Sequence, residues 1–376
     1  MAAERVIHKG LDGVVVTENA LTFIDGLAGK LMYRGYLIHD LAEHSSYEEV
    51  VWLLLNRELP TPAELAAFKV ELAAQRAIPE GVVKLLRSLP GQANPMAALR
   101  TAVSLLSLSD AEADDNSDEA NRRKAMRLIA RIATIVAAFD RLRDGKEPVE
   151  PDPELSHAAN FLYMLTGREP DARAARVFDV CLVLHADHEM NASTFSARVT
   201  ASTLSDIYSA ITSAIGTLKG SLHGGANSEV MKMILEIGSA DRAERWIQDA
   251  LASKRRVMGF GHRVYKTEDP RATVLRRMAR ELAEKQGDTD WFEISRTIES
   301  EVREQKGLFP NVDFYSASTY YMLGIKIDLF TPIFALSRIA GWTANLLEQY
   351  ADNRLIRPDS EYIGPQERPY VPLAAR

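Results

Sequence analysis

After Tyr36 the apolar residues fall at the three- and four-residue spacing of amphipathic helices, and almost nothing alternates with the two-residue period of a strand. The spacing predicts helices over about 154–165, 171–189, 193–203, 206–219, 225–238, 241–254, 271–286, 290–305, 312–322 and 332–350. Start signals place others. Ser46 with Glu49 and Thr61 with Glu64 fit capping boxes, and Pro62 occupies a first helical position where its missing N–H costs nothing. Asn94-Pro95 opens a further apolar helix, and Ser117 caps a long one running to about Arg143. Only residues 11–36, LDGVVVTENALTFIDGLAGKLMYRGY, hold short β-branched and aromatic runs broken by Gly and Asp, which predicts a small N-terminal β element. The fold class is therefore mainly α. Without strand–helix alternation, a doubly wound sheet or a TIM barrel is excluded.

Composition narrows the partners. With 376 residues, 46% hydrophobic and 26% charged, the chain can bury one large core or two smaller ones. A net charge of −7 and no basic block argue against nucleic acid. No apolar run approaches the roughly 18 residues that span a bilayer, and the charged start MAAERVIHKG is unlike a signal peptide, so no membrane partner and a cytoplasmic location are expected. The single cysteine, Cys181, sits in the apolar run VFDVCLVL and reads as core. The carboxylate-rich SDAEADDNSDEAN, residues 109–121, reads as a solvated loop.

Glycines cluster in GSLHGGAN and MGFGH, each with a histidine. His223 precedes Gly224, Gly225 and a helix, where the positive end of the dipole disfavours imidazolium and a neutral ring can donate to a carbonyl; a plain capping histidine would look similar. His262 ends GFGH, which lacks the third glycine of a dinucleotide fingerprint, and Arg263, Lys266 and Arg271 follow, with Asp269 as a cap. Such a cluster suits a polyanion or a solvated basic turn. Asp313 lies at the start of a helix in FPNVDFYSAS, where burial among aromatics and the helix N-terminus push its pKa in opposite directions. Arg338 interrupts the apolar TPIFALSRIAGWTANLL, and a buried guanidinium demands an anion, either internal or bound. Arg357 follows the last helix and could reach a neighbouring subunit as readily as its own core. His185, His188 and Glu189 suggest a metal by spacing, but no further ligand follows, so no metal site and no metallohydrolase is expected. His8, His39, His44 and His157 read as surface or helix-end positions.

Taken in order, LHADHEMNAST, LKGSLHGGAN, MGFGHRVYKTEDPRA, FPNVDFYSAS and ALSRIAGW closely resemble the citrate synthase family in its short bacterial and archaeal form. The likeness runs from GLDGVVVTENALTFIDG to DNRLIRP and PYVPL. It implies a multi-helical homodimer with a large domain, residues 1–221 and 325–376, and a small domain, residues 222–324, that closes over the substrates near Gly220, Gly224 and Gly324. It implies an acyltransferase of the tricarboxylic acid cycle that condenses acetyl-CoA with oxaloacetate and hydrolyses citryl-CoA, with CoA as product and no tightly bound cofactor. By position in those motifs, Asp313 corresponds to the base, His223 to the donor that holds the enol, and His262 to the acid on the oxaloacetate carbonyl. His188, Arg271 and Arg338 correspond to oxaloacetate ligands, and Arg357 to the arginine supplied by the other subunit. Residues 254–266, with Arg255, Gly259, Gly261, Arg263 and Lys266, look similar to part of the CoA surface. A 2-methylcitrate synthase, using propionyl-CoA, shares these motifs. A non-catalytic helical scaffold would be marked by loss of Asp313 or of either histidine, and all three are present.

Overall fold

The computed structural model describes residues 6–376; the first five residues of the charged start lie outside it. Strand β1 (Thr22–Asp25) pairs antiparallel with β2 (Lys30–Tyr33), Thr22 opposite Tyr33, and β2 pairs with β3 (Tyr36–Leu37). The Asp25 carboxylate closes the first turn by accepting the N–H groups of Leu27 and Ala28 at 3.0 and 2.9 Å.

Helices follow in an unbroken series: α1 (Ile38–His44), α2 (Tyr47–Asn56), α3 (Pro62–Ala74), α4 (Glu80–Ser88), α5 (Pro95–Leu106), α6 (Asp118–Arg143), α7 (His157–Thr166) and α8 (Ala172–His185). Then come α9 (Ala192–Ser202), α10 (Ile207–Leu218), α11 (Ala226–Ile237), α12 (Ala240–Ala252), α13 (Pro270–Gln286), α14 (Asp290–Lys306), α15 (Val312–Met322) and α16 (Phe330–Ala351). Both capping boxes form, and Asn94 and Ser117 cap α5 and α6 as their sequence signals predict. Helix α16 is apolar on nearly every side and is buried accordingly, against α6, α9, α10, α2 and α8. Helices α11 to α15 pack mainly on one another. Cys181 is fully buried, and among the described residues no helix is long and apolar enough to cross a membrane.

Three expectations need correction, and two helices had no sequence signal for their starts. Helix α8 stops at His185 instead of running to 189, because Ala186 leaves the helix to accept the Gly341 N–H at 3.0 Å and Glu189 takes φ +51°. His185 and His188 therefore do not share a helix face. Helices α1 and α4 carry no side-chain cap and gave no start signal; burial of Ile38, Leu41, Val82 and Leu86 holds them. His157 takes the helix-end alternative and not the surface one: it is the first residue of α7 and fully buried, and its backbone N–H donates to Glu48 Oε1 at 2.7 Å. The acidic segment is no free loop: Arg127 pairs with Asp110 and Glu112 at 2.9 and 2.8 Å, and Lys124 donates to the Asp115 carbonyl at 2.6 Å.

Candidate active site

His262 and Asp313 lie on two strips of chain zipped together. Gly261 N–H donates to the Phe309 carbonyl at 3.0 Å, Asn311 N–H to the Gly259 carbonyl at 2.9 Å, and Phe260 bridges Pro310. Glycine is required at 259, where φ is +84° and a Cβ would lie 2.8 Å from both Phe314 and Val230 side chains. His262 Nδ1 accepts the N–H groups of Val264 and Tyr265 at 3.0 and 3.2 Å, so its proton is on Nε2. Burial, with Arg271 adding to it, pushes the ring down to about 4 and keeps it neutral.

Asp313 is the second residue of α15, whose cap Asn311 accepts the Asp313 N–H at 3.1 Å. One carboxyl oxygen is buried without a hydrogen-bond partner among the described residues. Of the two opposed effects, burial prevails: the carboxyl is pushed up to about 6, with the positive charge of Arg271 acting against it.

His223 stands in a turn two residues before Gly225, the cap of α11. Gly224 is pressed on Leu218, whose Cδ1 would lie 2.9 Å from an added Cβ. Ser193 supplies the neighbours of the ring: its N–H donates to His223 Nε2 at 3.3 Å and its hydroxyl lies 2.8 Å from the same atom. Trp342 Nε1 in turn donates to the Ser193 hydroxyl at 3.1 Å. The Ser193 hydroxyl gives its own proton to Asn191 Oδ1 at 2.7 Å, so it meets the ring as an acceptor while the Ser193 N–H meets it as a donor. Burial first, and Arg338 second, lower this ring to about 4. Burial and the nearby guanidinium thus keep His223 neutral.

Around these groups sit the anion-binding candidates. His188 is buried, its Nε2 3.3 Å from the Tyr265 hydroxyl and its ring 5.3 Å from that of His262. Arg271 is buried in a bidentate pair with Asp269, at 3.0 and 2.7 Å. Arg338 is 1% exposed and donates Nε to the His185 carbonyl at 2.7 Å, yet no carboxylate lies within ion-pairing distance among the described residues. Burial pulls it down to about 10 while Asp187 opposes. Arg357 lies apart, on the surface, paired with Asp359 at 2.8 Å.

Gly261 and Lys266 line a cleft of about 250 Å³ with His262, Tyr265, Asp269 and Phe309. Arg263 is exposed and faces Asp12 at 3.4 Å. Arg255 does not line the cleft; Glu236 holds it at 2.7 and 2.6 Å and it stacks over Trp246. No group of His, Cys, Asp or Glu suited to a metal exists among the described residues. Sequence reasoning did not single out Tyr265, or Ser193, whose N-A-S context reads only as a glycosylation acceptor.

The charge of Arg338 acts on both His223 and Asp313, and that of Arg271 on Asp313, His188 and His262, so neutral imidazoles, a raised carboxyl and two buried guanidinium groups influence one another. A family model described as the citrate synthase C-terminal domain matches residues 10–359. The chain belongs to the citrate synthase family. It is 55% identical to the citrate synthase of Haloferax volcanii, over 98% of this chain and 99% of that one. It superposes on a ternary complex of carboxymethyl coenzyme A and oxaloacetate with the Thermoplasma acidophilum citrate synthase with a TM-score of 0.92, at 36% identity, covering 99% of this chain and 100% of the other. A 2-methylcitrate synthase of Mycobacterium tuberculosis is more distant, 44% identical over 96% of this chain and 92% of its own.

Proposed function

We propose that this member of the citrate synthase family condenses acetyl-CoA with oxaloacetate and hydrolyses the resulting citryl thioester. The observation that supports the reading is the clamp between Gly259–Gly261 and Phe309–Asn311, which joins the loop that leads to the neutral His262 ring to the helix start that carries the buried, raised Asp313 carboxyl. A thioester methyl is a weak acid, so the Asp313 carboxylate takes its proton only while a donor holds the developing enol oxygen. The neutral His223 ring is that donor. The enol carbon attacks the oxaloacetate ketone, and His262 Nε2–H gives its proton to the alkoxide. Water then cleaves the thioester, releasing the CoA thiol and citrate. Arg338, lacking an internal counter-ion, and Arg271 with His188 bind the oxaloacetate carboxylates.

In this reading residues 222–324 close on residues 1–221 and 325–376, keeping the enol from water. The chain works as a cytoplasmic homodimer in which Arg357 completes the partner's site, a role that its exposed position allows. The cleft at Gly261 and Lys266 takes part of CoA. The higher identity to citrate synthases than to 2-methylcitrate synthases favours acetyl-CoA over propionyl-CoA. Release of free thiol from each thioester with oxaloacetate tests both points. Turnover with neither refutes the function, and a larger kcat/KM with propionyl-CoA reverses the substrate choice.

A further inference from the structure

The loop that carries His262 rests on a part of the fold that the reaction chemistry does not touch. Lys266 N–H donates to the Gly26 carbonyl at 2.8 Å, in the turn between β1 and β2. A Cβ on Gly26 would collide with the Val264 backbone carbonyl and lie 3.2 Å from its Cγ1. A Cβ on Gly29 would lie 2.9 Å from Thr267 Cγ2 and 3.0 Å from the Glu268 carbonyl. Residues 264–268 therefore lie directly along this turn.

Two glycines in a hairpin turn have an ordinary explanation in backbone conformation, and it holds for Gly29, whose φ is +63°. It does not hold for Gly26, which is absent from the residues of positive φ. What demands glycine there is the neighbouring backbone, and the neighbour is specific. Val264 and Tyr265 are the residues whose N–H groups hold His262 Nδ1. The same stretch sends the Tyr265 hydroxyl to His188.

We infer that the Gly26–Gly29 turn is a positioning element for His262: it seats the backbone of residues 264–266, in which the Val264 and Tyr265 amides keep Nδ1 unprotonated and so present Nε2–H to the substrate. The inference rests on the reading of His262 as the acid, but its primary observable, the ring tautomer, does not.

The test is Gly26→Ala, read by ¹⁵N–¹H correlation of the histidine ring nitrogens, with the His262 signals assigned from His262→Gln. The parent shows the Nε2–H tautomer at His262; Gly26→Ala shows a mixture of tautomers, and its kcat falls roughly 10- to 100-fold, the cost of displacing a reacting group by about an ångström. Gly35→Ala is the control, since Gly35 lies in the same sheet at φ +91° with open space around it. It strains the hairpin without touching the loop, and keeps both tautomer and kcat. Should Gly26→Ala fail to fold, Asp25→Ala loosens the same turn without adding bulk and shifts the tautomer in the same direction. A parental tautomer and kcat in folded Gly26→Ala or, failing that, in Asp25→Ala, or equal losses in Gly35→Ala, overturn the inference. Full activity of His262→Gln refutes the role of the ring instead, and leaves the tautomer result standing.

Discussion

Asn311 holds the Gly261 carbonyl through its side-chain amide at 3.0 Å, while its side-chain oxygen takes the N–H of Asp313 at 3.1 Å. One side chain thus caps the helix of the carboxyl and tethers the loop of the imidazole. Asn311→Ala should lose about 1 kcal/mol of stability as an uncapped helix, measured by urea denaturation, and roughly tenfold in kcat as the two groups lose register. A variant that loses the stability yet keeps its kcat would show that the tether serves folding alone.

The raised pKa of Asp313 links activity to stability with opposite signs. A carboxyl that is pushed up from 3.8 to about 6 binds its proton more tightly folded than unfolded. Its contribution to stability is complete below about pH 4 and is lost as pH rises through about 6, the range in which the base becomes active. The buried His157 and His185 rings, both lowered to about 3, act the other way as pH falls, so variant and parent must be compared at each pH. Asp313→Asn should abolish condensation, bind oxaloacetate nearly normally, and melt at or above the parent temperature at pH 8, with the difference vanishing toward pH 4. A variant that is less stable than the parent at pH 8 contradicts the assigned sign.

The two buried arginines should respond differently to removal. Arg271 has Asp269 as a counter-ion, so Arg271→Met strands a buried carboxylate and should cost about 3–5 kcal/mol. Arg338 makes no direct ion pair and interacts with the buried Asp187 only at longer range, so Arg338→Met should cost the unliganded protein less stability than Arg271→Met. The same variant should lose the thermal shift that oxaloacetate gives the parent. An undiminished shift would place the substrate carboxylates elsewhere.

Legibility followed the kind of force at work. Helices with capping side chains, such as α2, α3 and α6, announce their starts locally, and the apolar stripe of α16 announces its burial. What stayed hidden depends on contacts between distant residues: Ala186 leaving its helix for Gly341, or Ser193 fixing the ring of His223. Asp313 was legible as a competition between burial and a helix terminus, but which effect prevails is a matter of how much chain covers it, and no local pattern carries that.

Arg357 tests the assembly as well as the site. It is exposed and, among the described residues, paired with Asp359, with no hydrogen bond to its own chain's cluster, and on the proposed reading it serves the partner's oxaloacetate. Arg357→Ala and Asp313→Asn homodimers should each be nearly inactive, for different reasons. When the two are unfolded together and refolded, a mixed dimer contains one site with the Asp313 of the first chain and the Arg357 of the second, which is a complete site. With random pairing, half the dimers are mixed and each has one working site of two, so the mixture should recover roughly a quarter of the parental activity. If Arg357 acted within its own chain, no site in any dimer would be complete and the mixture would stay inactive. Sedimentation of the mixture checks that dimers formed, so an inactive dimeric mixture would assign Arg357 to its own chain, and an active Arg357→Ala homodimer would assign it to no site at all.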